Sequence, residues 1–169
     1  RSPIFVGTLH GGGHVELSSG MSEIPSQLAL GATWDPDMAQ VAGAILGNEL
    51  SELGFNLILN PSLNVVEEPE LLQNVHSAGL IDSFGGDAYW VGEFGSAFVA
   101  GLKEGSENSL VVIGGNFPGS GRSDRPLNSE VATVRTSLIE LQQGDLAPFL
   151  QVADTAVPSK TIEIGRAHV

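Results

Sequence analysis

Leu110-Val111-Val112-Ile113-Gly114-Gly115-Asn116-Phe117-Pro118-Gly119-Ser120-Gly121 decides how this chain is read. Four apolar residues run into a segment dense in glycine and proline, and a helical pattern follows. A buried strand entering such a turn leaves backbone and short side chains exposed at one end of a parallel sheet. That end is where α/β proteins place their sites.

Outward from this stretch the pattern repeats. Pro3-Ile4-Phe5-Val6-Gly7 reads as a short buried strand, with a glycine-dense turn from Thr8 to Gly13. Ser18 to Gly31 reads as a polar connection. Asp35 is placed as an N-cap with Pro36 at the first helical position, where its missing N–H costs nothing. Met38, Val41, Ala42, Ile45, Leu46, Leu50 and Leu53 then follow a helical stripe that Gly54 ends. Phe55 to Leu59 is the next strand and Asn60-Pro61-Ser62-Leu63-Asn64-Val65 its loop. Asp87 caps a second helix striped by Val91, Phe94, Phe98 and Leu102, and a third helix carries Val131, Val134, Leu138 and Leu141. Strand, loop and helix thus recur three times, the layout of a (β/α) barrel; a complete one needs about 250 residues. The chain has 169, so the expected fold is α/β, a partial (β/α)8 TIM barrel amounting to roughly its first half. An open sheet edge and an uncovered apolar face would make such a piece marginal or aggregation-prone.

Composition narrows the function. A formal net charge of -13, from 20 acidic and 7 basic residues, argues against nucleic acid or an anionic membrane as a partner, since both need Lys and Arg to neutralise phosphate. A neutral ligand is easier to hold. The chain has no cysteine, which excludes disulfides and thiolate chemistry. No run is apolar enough to span a membrane, and no signal peptide is visible. His10 and His14 are four apart, but Gly11-Gly12-Gly13 makes a helix between them improbable; they read as two solvated loop histidines rather than metal ligands. No cofactor is implied. The same glycines lack the spacing and lysine of a phosphate loop.

Asn116-Phe117-Pro118-Gly119-Ser120-Gly121 resembles the K-H-F-P-G-H-G signature of family-3 glycoside hydrolases, with Gly115 at the lysine position, Asn116 at the first histidine and Ser120 at the second. Five further phrases resemble the family in the right order. Leu9 to Val15 stands where it has D-Q-E-G-G-R-V. Ala29 to Pro36, with the helix and Glu49-Leu50 to Asn56, matches its second to third barrel strands. Asn64 stands at the aspartate of A-P-x-x-D-V, and Asp82 at the arginine of R-S-F-G-E-D. Asp145-Leu146-Ala147-Pro148-Phe149 resembles D-L-x-P-F.

The resemblance implies a retaining glycosidase acting on β-glucosides or related β-linked sugars, with Asn64, Asp82, Gly115 and Asn116 at substrate-binding positions. It places no catalytic residue in this chain: the nucleophilic aspartate comes from a later strand. In the N-acetylglucosaminidase branch the acid is the histidine of D-S-H. Here Asp124 is followed by Arg125, whose guanidinium cannot deliver a proton at neutral pH, so that branch is disfavoured. The changes at Asn64, Asp82 and Gly115 leave open a non-catalytic relative that binds carbohydrate or protein on the same face. Trp34 reads equally as a ring that stacks on a sugar and as a helix-packing tryptophan. Glu163 to Val169 resembles a translated sequencing adapter, so the expected organisation is a partial barrel domain over 1–162 and a non-native tail over 163–169.

Overall fold

The computed structural model of the chain describes residues 4–13, 20–67, 81–119, 136–155 and 162–166. Its elements are β1 (Gly7–Thr8), α1 (Gln27–Gly31), α2 (Pro36–Glu52), β2 (Leu57–Ile58), α3 (Ala88–Gly105), β3 (Val111–Phe117), α4 (Leu138–Gln143), α5 (Ala147–Thr155) and β4 (Ile162–Arg166). The strands form one sheet in the order β1-β2-β3-β4, and each neighbouring pair is parallel. Spatial order that equals chain order is the winding of a barrel, because each crossover then advances by one strand on the same side of the sheet. A doubly wound sheet would reverse direction at a switch point. The fold is therefore an incomplete α/β barrel.

Local signals set both long helices. The Asp35 carboxylate accepts from the Asp37 N–H at the start of α2, and Asp87 accepts from the Trp90 N–H at the start of α3. Val91, Phe94, Phe98 and Leu102 are all buried, as the stripe requires. The α2 stripe is rotated from its expected position. Ala39, Ala42, Gly43, Leu46, Gly47 and Leu50 are buried, whereas Met38, Val41, Ile45 and Leu53 are exposed. The cause is the mode of packing: Gly43 and Gly47 lie against the backbone of Phe98 and Leu102, and Gly101 and Gly105 lie against that of Gln40 and Ala44. The small residues, not the large ones, form the contact.

Other expectations need correction. Ile4, Phe5 and Val6 are exposed rather than buried, because β1 is an edge strand with only β2 beside it. Asn56 holds this edge, its side chain accepting from the Val6 N–H at 2.7 Å and donating to the Ile4 carbonyl at 2.9 Å. The polar connection before Gly31 contains the one-turn helix α1, capped by Ser26. Strand β3 continues through Gly114-Gly115-Asn116 to Phe117, so the turn begins at Pro118. Of the third helix, Val131 and Val134 lie outside the described residues. Leu138 is exposed, and α4 is set by a Ser137–Glu140 capping box. Ile162–Arg166, which spans the end of the expected 1–162 domain and the start of the 163–169 segment, pairs with β3. A parallel ladder is made by backbone groups, so this pairing asks only that the residues be extended.

Candidate functional site

The loops that leave β1, β2 and β3 meet at the carboxyl ends of the strands. Gly11 packs on the Asn60 side chain, and a Cβ there would collide with it. The Gly115 N–H donates to the Pro61 carbonyl at 3.1 Å, and the Gly115 carbonyl accepts from the Leu63 N–H. These two bonds extend β3 past its expected end. The Ser83 hydroxyl donates to the Asn64 carbonyl at 2.8 Å and accepts from the Gly85 N–H at 3.1 Å, while the Val66 N–H donates to the Gly85 carbonyl at 3.0 Å. A continuous path thus joins Asp82-Ser83 to Asn64, Leu63 to Gly115, and Gly115 to Asn116. All four residues singled out in the sequence lie on it.

Their environments differ. Asn64 is buried, with 8% of its surface exposed. Asp82 is exposed as a residue, and partial desolvation holds its carboxyl above the ordinary value. Gly115 is half-buried, and a Cβ on it would meet no atom of the described residues within 4 Å. Among the described residues the position has room for a larger side chain. Asn116 is half-buried, and its carbonyl accepts from the Gly119 N–H at 2.6 Å. Gly119 has φ +122, which disfavours a side chain, and a Cβ there would lie 2.7 Å from the Cβ of buried Asp145. Phe149 meets Phe117 edge to face at 5.4 Å. Through these contacts the Asp145-to-Phe149 phrase supports the signature loop. Ser120, Asp124 and Arg125 lie outside the described residues.

Beneath the mouth, one polar residue overturns its sequence reading and a second escaped it. His10 is buried, not solvated; its Nδ1 accepts from the Gly12 N–H at 3.1 Å, which fixes the other ring nitrogen as the protonated one. His14 lies outside the described residues. Burial lowers the His10 pKa, with the Glu49 carboxylate opposing. A histidine whose folded pKa lies below its unfolded one is protonated first in the unfolded chain, so stability is full above the unfolded value of about 6.5 and falls as pH drops below it. His10→Asn, which keeps an acceptor for Gly12, is expected to flatten the loss of stability between about pH 7.5 and 5.5. An unchanged slope in urea titrations would contradict this.

Gln27, fully buried, is the second. Its Nε2 donates to the Ser62 carbonyl at 3.2 Å and its Oε1 accepts from the Ser62 N–H at 3.1 Å, so one amide mimics a strand partner for the β2 loop. Gln27→Leu leaves both backbone groups unpaired at ~1–3 kcal/mol each, so a loss of about 2–4 kcal/mol is expected in chemical denaturation. The isosteric Gln27→Glu keeps the acceptor but sets a carboxylate against the Ser62 carbonyl, and is expected to be no better. No group of His, Cys, Asp or Glu among the described residues could hold a metal ion, and no helix among them is long and apolar enough to cross a membrane.

The whole of residues 1–169 matches the family model for the glycosyl hydrolase family 3 N-terminal domain. The chain belongs to glycoside hydrolase family 3.

Among its relatives in that family is a β-hexosaminidase of Chromobacterium violaceum, 26% identical over 166 residues that cover 93% of this chain and 44% of that protein. A probable β-glucosidase H of Emericella nidulans is 28% identical over 135 residues, covering 80% of this chain and 15% of that protein. Among solved structures, the family-3 β-N-acetylglucosaminidase of Paenibacillus sp. FPU-7 superposes with a TM-score of 0.83 at 27% identity, covering 97% of this chain and 30% of that one. The chain spans less than half the length of these relatives. As a family-3 segment it contains the loops after three parallel strands of the sheet.

Proposed function

We propose that this family-3 segment forms the sugar-binding face of a retaining glycoside hydrolase acting on β-glucosides or related β-linked O-glycosides. Retaining hydrolysis needs one carboxylate as nucleophile and a second group as general acid, on either side of an oxocarbenium-like transition state. In this reading the segment binds and orients the sugar, and the nucleophile comes from outside the sequence. The observation that supports it most is the convergence of the Asn64, Asp82 and Gly115-Asn116 loops at one end of a parallel sheet, with no described residue within 4 Å of a Cβ at Gly115. Asn64 has one side-chain acceptor oxygen where the family pattern has a carboxylate.

The same departures favour a second reading, a relative that binds carbohydrate or protein without turnover. Charge-assisted hydrogen bonds are worth ~1.5–3 kcal/mol each, so three lost at Asn64, Asp82 and Gly115 amount to ~4–9 kcal/mol, three or more orders of magnitude in rate. The test is hydrolysis of aryl β-glucosides and aryl N-acetyl-β-glucosaminides by the full-length protein that carries these residues. Turnover of either, with KM raised by Asn64→Ala, is the expected result. Sugar binding with no turnover selects the second reading, and neither binding nor turnover would overturn both.

A further inference from the structure

Two aromatic side chains stand in solvent at the rim of the same face. Trp34 is 66% exposed and Tyr89 is 60% exposed. Both sit where the helices begin, at the turn into α2 and in the first turn of α3, the side of the sheet to which the strands deliver their loops. They are not loose. Trp90 meets Trp34 edge to face at 5.4 Å and Tyr89 at 5.4 Å, and is itself braced by Phe94 at 6.2 Å, whose ring stacks on buried Phe84. Trp34 also has a φ of 56, a left-handed conformation uncommon for a bulky residue. The chain thus holds a large ring outward at a conformational cost.

Position links this cluster to the pocket. Gln27 at the start of α1 clamps Ser62 in the β2 loop, and Gly31 at its end lies against the Phe84 carbonyl. One short helix, rising about 1.5 Å per residue, therefore runs from the site loop to the aromatic cluster. The polar groups beside the rings are carboxylates. Asp35 and Asp87 each use Oδ1 for helix capping, and a carboxylate accepts at both oxygens, so each Oδ2 can take a hydroxyl. An aromatic face flanked by acceptors, on a chain of net charge -13, suits a neutral polyhydroxylated ring and repels an anion.

We propose that Trp34 and Tyr89, braced by Trp90, form a second sugar-binding platform that takes a distal residue of a β-linked oligosaccharide whose end residue occupies the pocket at Gly115. The platform deepens the carbohydrate reading above and rests on it. Titrate the chain with glucose and N-acetylglucosamine, and with cellotetraose and tetra-N-acetylchitotetraose, following tryptophan fluorescence and heat. One tetrasaccharide is expected to bind more tightly than its monosaccharide. Trp34→Asn, a residue at ease in the left-handed region, and Tyr89→Ser are each expected to weaken tetrasaccharide binding about tenfold and leave monosaccharide binding unchanged. Far-UV circular dichroism confirms that each variant is folded. A tetrasaccharide that binds no more tightly than its monosaccharide, or as tightly to Trp34→Asn as to the parent, overturns the platform alone. Failure of every sugar to bind overturns the platform together with the carbohydrate reading. A Trp34→Asn variant that changes only self-association marks the cluster as a protein contact, which also overturns the platform.

Discussion

Replacing Gly101 by alanine is expected to destabilise the fold by about 2 kcal/mol, although alanine is the better helix former. Two effects of opposite sign compete. Intrinsic propensity favours alanine in a helix interior by about 1 kcal/mol. Against this, a Cβ at Gly101 would collide with the Gln40 carbonyl and lie 2.8 Å from the Ala44 nitrogen. Both obstacles are backbone, so no rotamer change relieves them and α2 must move away from α3. Overpacking of this kind costs ~1–3 kcal/mol and sometimes more, and parting the helices also loosens Leu46, Leu50, Phe98 and Leu102.

The facing glycine should behave likewise. A Cβ at Gly43 would collide with the Phe98 carbonyl and lie 3.0 Å from the Leu102 nitrogen. Because one separation relieves both clashes, the Gly43→Ala and Gly101→Ala double variant is expected to cost less than the sum of the singles. Urea denaturation reads the effect as a lower midpoint at unchanged m. A raised midpoint for Gly101→Ala would mean that propensity outweighs packing and that the interlocked helices are wrongly described.

The second large effect concerns the site. Gly115→Lys is expected to tighten monosaccharide binding about tenfold. Among the described residues no atom lies within 4 Å of the added Cβ, and Gly115 is not among the positive-φ residues, so neither these neighbours nor the backbone angle opposes it. A charge-assisted hydrogen bond to a hydroxyl contributes ~1.5–3 kcal/mol. Immobilising a lysine opposes this with up to about 2 kcal/mol of rotamer entropy, which leaves roughly the 1.4 kcal/mol of a tenfold change. Gly115→Met, similar in length but uncharged, is the control and should leave affinity unchanged. Equal affinities for the parent, the lysine and the methionine variants, measured by calorimetry with glucose and N-acetylglucosamine, would remove Gly115 from the sugar-facing positions.

These two predictions draw on different kinds of information. The start of α2 was legible in Asp35-Pro36, and the core face of α3 in Val91, Phe94, Phe98 and Leu102, because caps and helical periodicity act over a few neighbouring residues. The ordered phrases in the strand-end loops carried the family and the barrel. What they could not carry was the partner of each segment. The large residues of α2 suggest a buried stripe through Met38, Val41 and Ile45, yet a glycine contact with α3 turns that stripe to solvent. The apolar run Ile4-Phe5-Val6 has the composition of a buried strand, and only its edge position exposes it.

The site divides in the same way. Sequence alone determined which residue types stand at the strand ends, including Gly115, Asn64, Asn116 and Asp82. Tertiary structure alone decided that Gln27 clamps Ser62 across 35 residues of sequence, that His10 is enclosed, and that no described residue crowds Gly115. The reason is physical: periodicity and capping are set by neighbours along the chain, whereas burial, clamping and free volume depend on atoms that only folding brings near.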